Sequence, residues 1–307
     1  MRSVEPTGDE LVDAIEAVSG THPGRRRLHA TGIVATGQFT GSADGAALST
    51  NPYLQGPTVP AVVRFSNGAG APDNRDDAQD GRGIAVKLGD TGGGEPAWDL
   101  IGITLPQFFV RTPEDFLELM AARVPDPATG ELDLAKVGAF LEAHPEALPA
   151  VSASMGLTVP SSYAEVAYNG LHTFFYVDAA GHRTAVRHQW APEGEPSPLP
   201  DQPAADHLRA DLAQRLAEAP VAFTLRLTLA GDDDALDDPT LRWPDDRPTV
   251  DAGQLVLTAL HPDPAAADAL IFDPTNVVEG VECSADPILH ARSAAYGVSY
   301  ARRRAGT

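Results

Sequence analysis

Apolar residues along this 307-residue chain recur either every third or fourth position or at every second one, and the switches between the two mark its elements. Thr7-Gly8-Asp9-Glu10 has the spacing of a capping box, and Leu11, Val12, Ile15 and Val18 follow at helical intervals, which predicts an amphipathic edge helix over 8–19. Thr112-Pro113-Glu114-Asp115 opens a second helix, running to 123, with a capping hydroxyl, a proline in the first turn and acids beside it. Further helices are expected over 133–143, 146–153, 204–218 and 286–303. Short apolar or alternating runs bounded by Gly, Pro or Asp predict strands over 28–39, 59–66, 83–88 and 98–101. A hairpin joins 172–177 to 184–190 through Asp178-Ala179-Ala180-Gly181, and 221–229 and 254–260 complete the set. Strands first and helices interleaved late imply an α+β chain whose antiparallel sheet closes into a barrel, not a doubly wound sheet.

Composition narrows the chemistry. The net charge of −21 repels phosphate backbones and anionic headgroups, so neither nucleic acid nor a membrane surface is an expected partner. One cysteine, Cys283, excludes an internal disulfide, a four-cysteine zinc site and an iron–sulfur cluster. With a polar amino terminus, it points to a reducing, cytoplasmic setting. The acidic run from Asp232 to Asp238 lacks the ligand alternation of a calcium loop and reads as a solvated loop. Gly92-Gly93-Gly94 follows no strand-to-helix pattern and reads as a flexible turn.

In the closing helix Arg292 and Tyr296 stand four apart, one turn along the same face, and Arg303 follows on that face. Spacing alone leaves two readings open: a structural tyrosine–arginine pair, or a phenolate metal ligand supported by a cation. At the other end, Arg26-Arg27-Leu28-His29-Ala30 precedes Val62-Val63-Arg64-Phe65-Ser66 and Arg82-Gly83-Ile84-Ala85-Val86-Lys87. Trp98-Asp99-Leu100, Pro106-Gln107-Phe108-Phe109-Val110-Arg111, Asn169-Gly170-Leu171-His172-Thr173-Phe174 and Phe272-Asp273-Pro274-Thr275-Asn276 come next, before Arg292 to Tyr296. In content and order these segments resemble the catalases from about residue 24 to 304, and more closely the small catalase-related haem peroxidases.

That resemblance implies a single catalase-core domain over 1–307, with 1–23 as a helical edge, built as an eight-stranded antiparallel barrel with flanking helices and a buried haem b. It implies that His29 moves the peroxide proton, that Ser66 holds the imidazole, that Tyr296 binds iron and that Arg292 keeps the phenolate charged. Arg26, Arg64 and Arg303 match propionate-binding positions, and Phe116 an aromatic position against the macrocycle. One position departs from the family pattern: Ile103 stands where catalases carry a distal asparagine, and Thr104 beside it points to the other face of the strand. The expected activity is therefore reduction of hydrogen peroxide or an organic hydroperoxide at the expense of a small organic donor, with little dismutation. The alternatives are isomerisation or dehydration of fatty-acid hydroperoxides and, from another class, a non-enzymatic haem carrier or sensor. A thiolate ligand from Cys283 and bound NADPH near Trp243-Pro244 are not expected, and a monomer or simple homodimer is.

Overall fold

A computed structural model describes residues 5–89 and 96–306, so Gly92-Gly93-Gly94 lies outside the described residues. The strands are β1 (Gly32–Gly41), β2 (Val59–Asn67), β3 (Arg82–Gly89), β4 (Ala97–Ile103), β5 (Tyr168–Asn169), β6 (Phe174–Val177), β7 (Arg183–Pro192), β8 (Val221–Leu229), β9 (Thr249–Leu260) and β10 (Val281–Cys283). The helices are α1 (Gly8–Ser19), α2 (Ala43–Leu48), α3 (Pro113–Arg123), α4 (Leu134–Ala143), α5 (Leu148–Met155), α6 (His207–Glu218), α7 (Pro264–Asp268) and α8 (Pro287–Ala305). Antiparallel pairing runs β7-β5-β4-β3-β2-β1-β9-β8, and β8 returns to β7, closing the barrel; β6 and β10 extend outward from β7.

Alternation along the strands decides where a ligand can go. Val63 and Phe65, Ile84 and Val86, and Trp98 and Leu100 point into the barrel. There Phe65 stacks on Tyr163 with centroids 5.6 Å apart, Tyr168 and Phe223 close around it, and Phe39 meets the edge of Trp190. His188 lies flat on Phe174 at 4.9 Å. The interior is plugged with rings, so the opposite face of β2–β4 is left to form a site with the helices.

Most of the expected elements appear, with informative shifts. The strand expected from 28 begins at Gly32, because His29 turns left-handed at φ 55. The His29 and Ala30 amides donate to the carbonyls of Gly68 and Ala69 and not to a strand ladder. The strand expected over 172–177 is shortened to β6, since His172 turns to Asp286 at the start of α8, and the two-residue β5 before it was not expected. α1 has its capping box but is no edge helix: it packs on α3 and α8, with Ile15 in an apolar cluster with Val110, Met120 and Ile288. The acidic run is less solvated than expected, because Asp234 pairs with Arg247 and Asp237 accepts from the Ala285 amide. Among the described residues no helix is long and apolar enough to cross a membrane.

The Lys and Asp of two sequence motifs are register partners on β3 and β4, where Lys87 Nζ meets Asp99 Oδ1 at 2.6 Å in a buried ion pair. Asp99 also accepts from the Asp273 amide at 2.9 Å and Asn276 Nδ2 at 3.1 Å, tying the barrel to the segment before α8. Burial pushes the Asp99 carboxyl above its ordinary range, with Lys87 opposing. Lys87→Met leaves a buried charge uncompensated and is expected to lower unfolding free energy by about 3–5 kcal/mol, read as a fall in the urea midpoint. A Lys87→Met, Asp99→Leu double variant should recover much of the loss.

Candidate active site

Between the outer face of β2–β4 and helices α1, α3 and α8 lies a cavity with about 1530 Å³ of space between its walls, part of it open to solvent. His29, Ser66, Arg292, Tyr296, Arg26, Arg64, Arg303 and Phe116 all line it. The barrel wall is laid out by register. Ser66 pairs with Gly83, Gly83 with Ile103 and Ile103 with Asn169, so one row of residues crosses four strands. The next row places Arg64, Ala85 and Ile101 on the same face.

His29 enters from the turn before β1, and its Nδ1 lies 3.0 Å from Ser66 Oγ. Gly83 makes this possible: a Cβ there would sit 2.9 Å from the imidazole, closer than real contacts allow, and a tight 3.0 Å from the hydroxyl. Burial depresses the His29 pKa to about 4; Asp80 opposes the fall, and the Arg64 and Arg292 charges deepen it. The ring is therefore neutral near pH 7. With the proton on Nδ1 facing Ser66, Nε2 presents a lone pair to the cavity.

The row beside this pair is apolar at Ile103. Thr104 offers no substitute, since its hydroxyl accepts from the Arg82 amide at 3.0 Å and it is not part of this cavity's lining. Asn169, which the sequence reading did not single out as a candidate, brings an amide next to Ile103. That amide is committed: Nδ2 donates to the Leu105 carbonyl at 3.2 Å, and Oδ1 accepts from Gln189 at 2.9 Å.

On the helix side a buried chain of hydrogen bonds ends at the Tyr296 phenol. Asp286 caps α8, accepting from the Ile288 amide at 2.9 Å and the Leu289 amide at 3.3 Å. Its other oxygen lies 2.6 Å from His172 Nδ1, and His172 Nε2 lies 2.8 Å from Arg292 Nη1. A guanidinium only donates, so His172 Nε2 accepts and the histidine proton sits on Nδ1, toward Asp286. Burial lowers the His172 pKa, with Asp286 opposing, consistent with that neutral ring. Arg292, so fixed, donates to Tyr296 Oη from Nη2 at 2.7 Å and Nε at 3.3 Å. Two N–H groups on one phenolic oxygen hold it as an acceptor in the cavity wall.

Three more guanidiniums gather at one end. Arg26 Nη2 and Arg303 Nη2 both donate to the Leu270 carbonyl, at 3.0 and 3.1 Å, while Arg64 Nη2 donates to the His29 carbonyl at 2.8 Å. Burial lowers each to about 10, and repulsion adds to the fall: Arg64 acts on Arg26, Arg303 on Arg64 and Arg26 on Arg303. Asp268, largely exposed, answers them through Arg26 at 3.0 Å. Excess buried positive charge of this kind suits a ligand carrying carboxylates. Phe116 stacks on Phe108 at 6.3 Å, giving the cavity a flat aromatic wall; Phe108 was legible only as part of a motif. The donor set therefore fits a flat, mostly apolar dianion whose metal takes an oxygen ligand, which is the chemistry of an iron porphyrin. Cys283 lies on β10, outside this lining, and burial pushes its thiol up to about 11.

The catalase family model matches residues 10–307. A catalase-related peroxidase of Synechococcus elongatus is 35% identical over 98% of this chain and 89% of its own, and one of Mycolicibacterium paratuberculosis is 36% identical over 95% and 93%. A catalase isozyme of Zea mays is 31% identical, and the match covers 96% of this chain and 64% of the maize protein. The crystal structure of a fungal catalase aligns with a TM-score of 0.81 over 95% of this chain and 62% of that one; at 24% identity it bears on the fold alone. This chain belongs to the catalase family.

Proposed function

We propose that the chain is a haem b peroxidase that reduces hydrogen peroxide or an organic hydroperoxide while oxidising a small organic donor. The observation that carries the reading is the meeting, in one cavity, of the neutral His29–Ser66 pair with the Arg292-held Tyr296 phenol. Tyr296 would bind the iron, Arg26, Arg64 and Arg303 the propionates, and Phe116 the macrocycle face. The bound haem supplies the electrons that break the oxygen–oxygen bond.

The protein's part is proton transfer and orientation. His29 Nε2 takes the proton from the inner oxygen of the bound peroxide and gives it to the outer oxygen, which departs as water from hydrogen peroxide or as an alcohol from an organic hydroperoxide. Ser66 keeps the ring in the tautomer that this requires, and Gly83 leaves the ring its space. Asp286 and His172 act through Arg292 by fixing its direction toward the phenol. Ile103 gives a second peroxide no donor to align on, so the pocket favours oxidation of organic donors over dismutation. The same apolar wall, formed with Ile101 and Leu105, favours a second reading in which fatty-acid hydroperoxides are isomerised or dehydrated. Product analysis with a lipid hydroperoxide, with and without an electron donor, separates the two.

His29→Ala is expected to slow peroxide cleavage by about 10²–10⁴-fold while haem content is kept, measured by stopped-flow absorbance; unchanged cleavage would overturn the role given to His29, and a wild type that binds haem without cleaving peroxide would leave only a haem carrier. In the wild type the base is lost as pH falls through about 4, so the cleavage rate should show an acid limb there. Tyr296→Phe should still fold but lose the high-spin ferric tyrosinate spectrum. Ile103→Asn should raise oxygen evolution from hydrogen peroxide by at least about tenfold, the worth of one well-placed donor, and a wild type already evolving oxygen at catalase-like rates would overturn the role given to Ile103.

A further inference from the structure

The amphipathic helix at the start of the chain lays Leu11, Val12 and Ile15, all buried, along the cavity. It is set close on α8: a Cβ on Gly8 would come within 2.6 Å of the Ala294 carbonyl oxygen, so the two backbones nearly touch. Its polar face is clamped to the arginine end of the site. Glu16 bonds Arg27 through one oxygen and Arg302 Nη1 through the other at 3.0 Å, and Arg302 also reaches Asp9 at 2.8 Å and Asp13 at 2.7 Å.

Arg27 and Arg302 are chain neighbours of Arg26 and Arg303, the two guanidiniums that share the Leu270 carbonyl inside the cavity. Two adjacent-arginine pairs thus each split their charges, one guanidinium to α1 and one to the ligand end. Asp9 and Asp13 are largely exposed, and such pairs contribute little. Glu16 and Arg27 are mostly buried, so theirs is the least screened of these contacts.

We propose that α1 is the retaining wall of the cofactor site: Leu11, Val12 and Ile15 pack against the hydrocarbon edge of the porphyrin, and Glu16 couples the docking of α1 to the arginines that hold its carboxylates. The proposal rests on reading the cavity as a haem site. These three side chains carry no donor, so they suit the methyl and vinyl edge and not the propionates. Coupling is reciprocal: haem strengthens α1 docking by the factor by which α1 strengthens haem binding.

Transfer of haem from the loaded protein to excess apomyoglobin, followed in the Soret band, tests this. Glu16→Gln should lose haem at least about tenfold faster than wild type, within the usual span of such couplings. Hydrogen exchange of residues 8–19 in the unaltered chain should be slowed by a like factor on adding haem, and this comparison decides alone if E16Q does not fold. Equal loss rates together with unchanged exchange would overturn the wall while leaving the haem reading intact. A wild type that takes up no haem overturns that reading, and the wall with it.

Discussion

The buried carboxylate of Asp286 is the contact on which the site turns. One oxygen receives the first free amides of α8 and so starts the helix; the other fixes the His172 tautomer, which fixes Arg292, which fixes the Tyr296 oxygen. The helix carrying the phenol and the hydrogen bonds aiming it thus begin at the same atom pair. A disturbance there acts twice, on where α8 begins and on where its tyrosine points. Neither the helix nor the phenol can be repositioned without the other.

The barrel imposes the complementary constraint. With Phe65 turned inward among rings, strand alternation turns Arg64 and Ser66 outward on either side of it, and the ladder aligns Gly83, Ile103 and Asn169 with Ser66. Filling the interior and furnishing the outer wall are one event, decided by a two-residue period. Sliding β2 by one residue would exchange the ring for the cation and hydroxyl and empty both sites.

Much of this was legible in the chain. Short apolar runs gave the barrel strands, the Thr7 and Thr112 signatures gave α1 and α3, and the ordered motifs gathered every singled-out side chain into one cavity. What escaped depended on tertiary partners. His172 looked like a strand residue until Asp286, distant in sequence, drew it out of the sheet. Asn169 acquired a place beside Ile103 only through pairing of β4 with β5. The start of β1 moved because His29 is left-handed, a choice made by the Gly68 and Ala69 carbonyls and not by local propensity. Helical spacing could mark the apolar face of α1 but not what it would face.

The backbone at His29 carries a further implication. A left-handed conformation costs a residue with a side chain roughly 1–2 kcal/mol, and glycine is the residue that adopts it freely. The imidazole there is also kept from its proton between about pH 6.5 and 4, so the folded state weakens as the solution acidifies through that interval. Both costs fall on the residue proposed as the base. Selection for heat or acid tolerance alone would act against this histidine, and a hardened descendant that replaced it would lose the proton carrier proposed here.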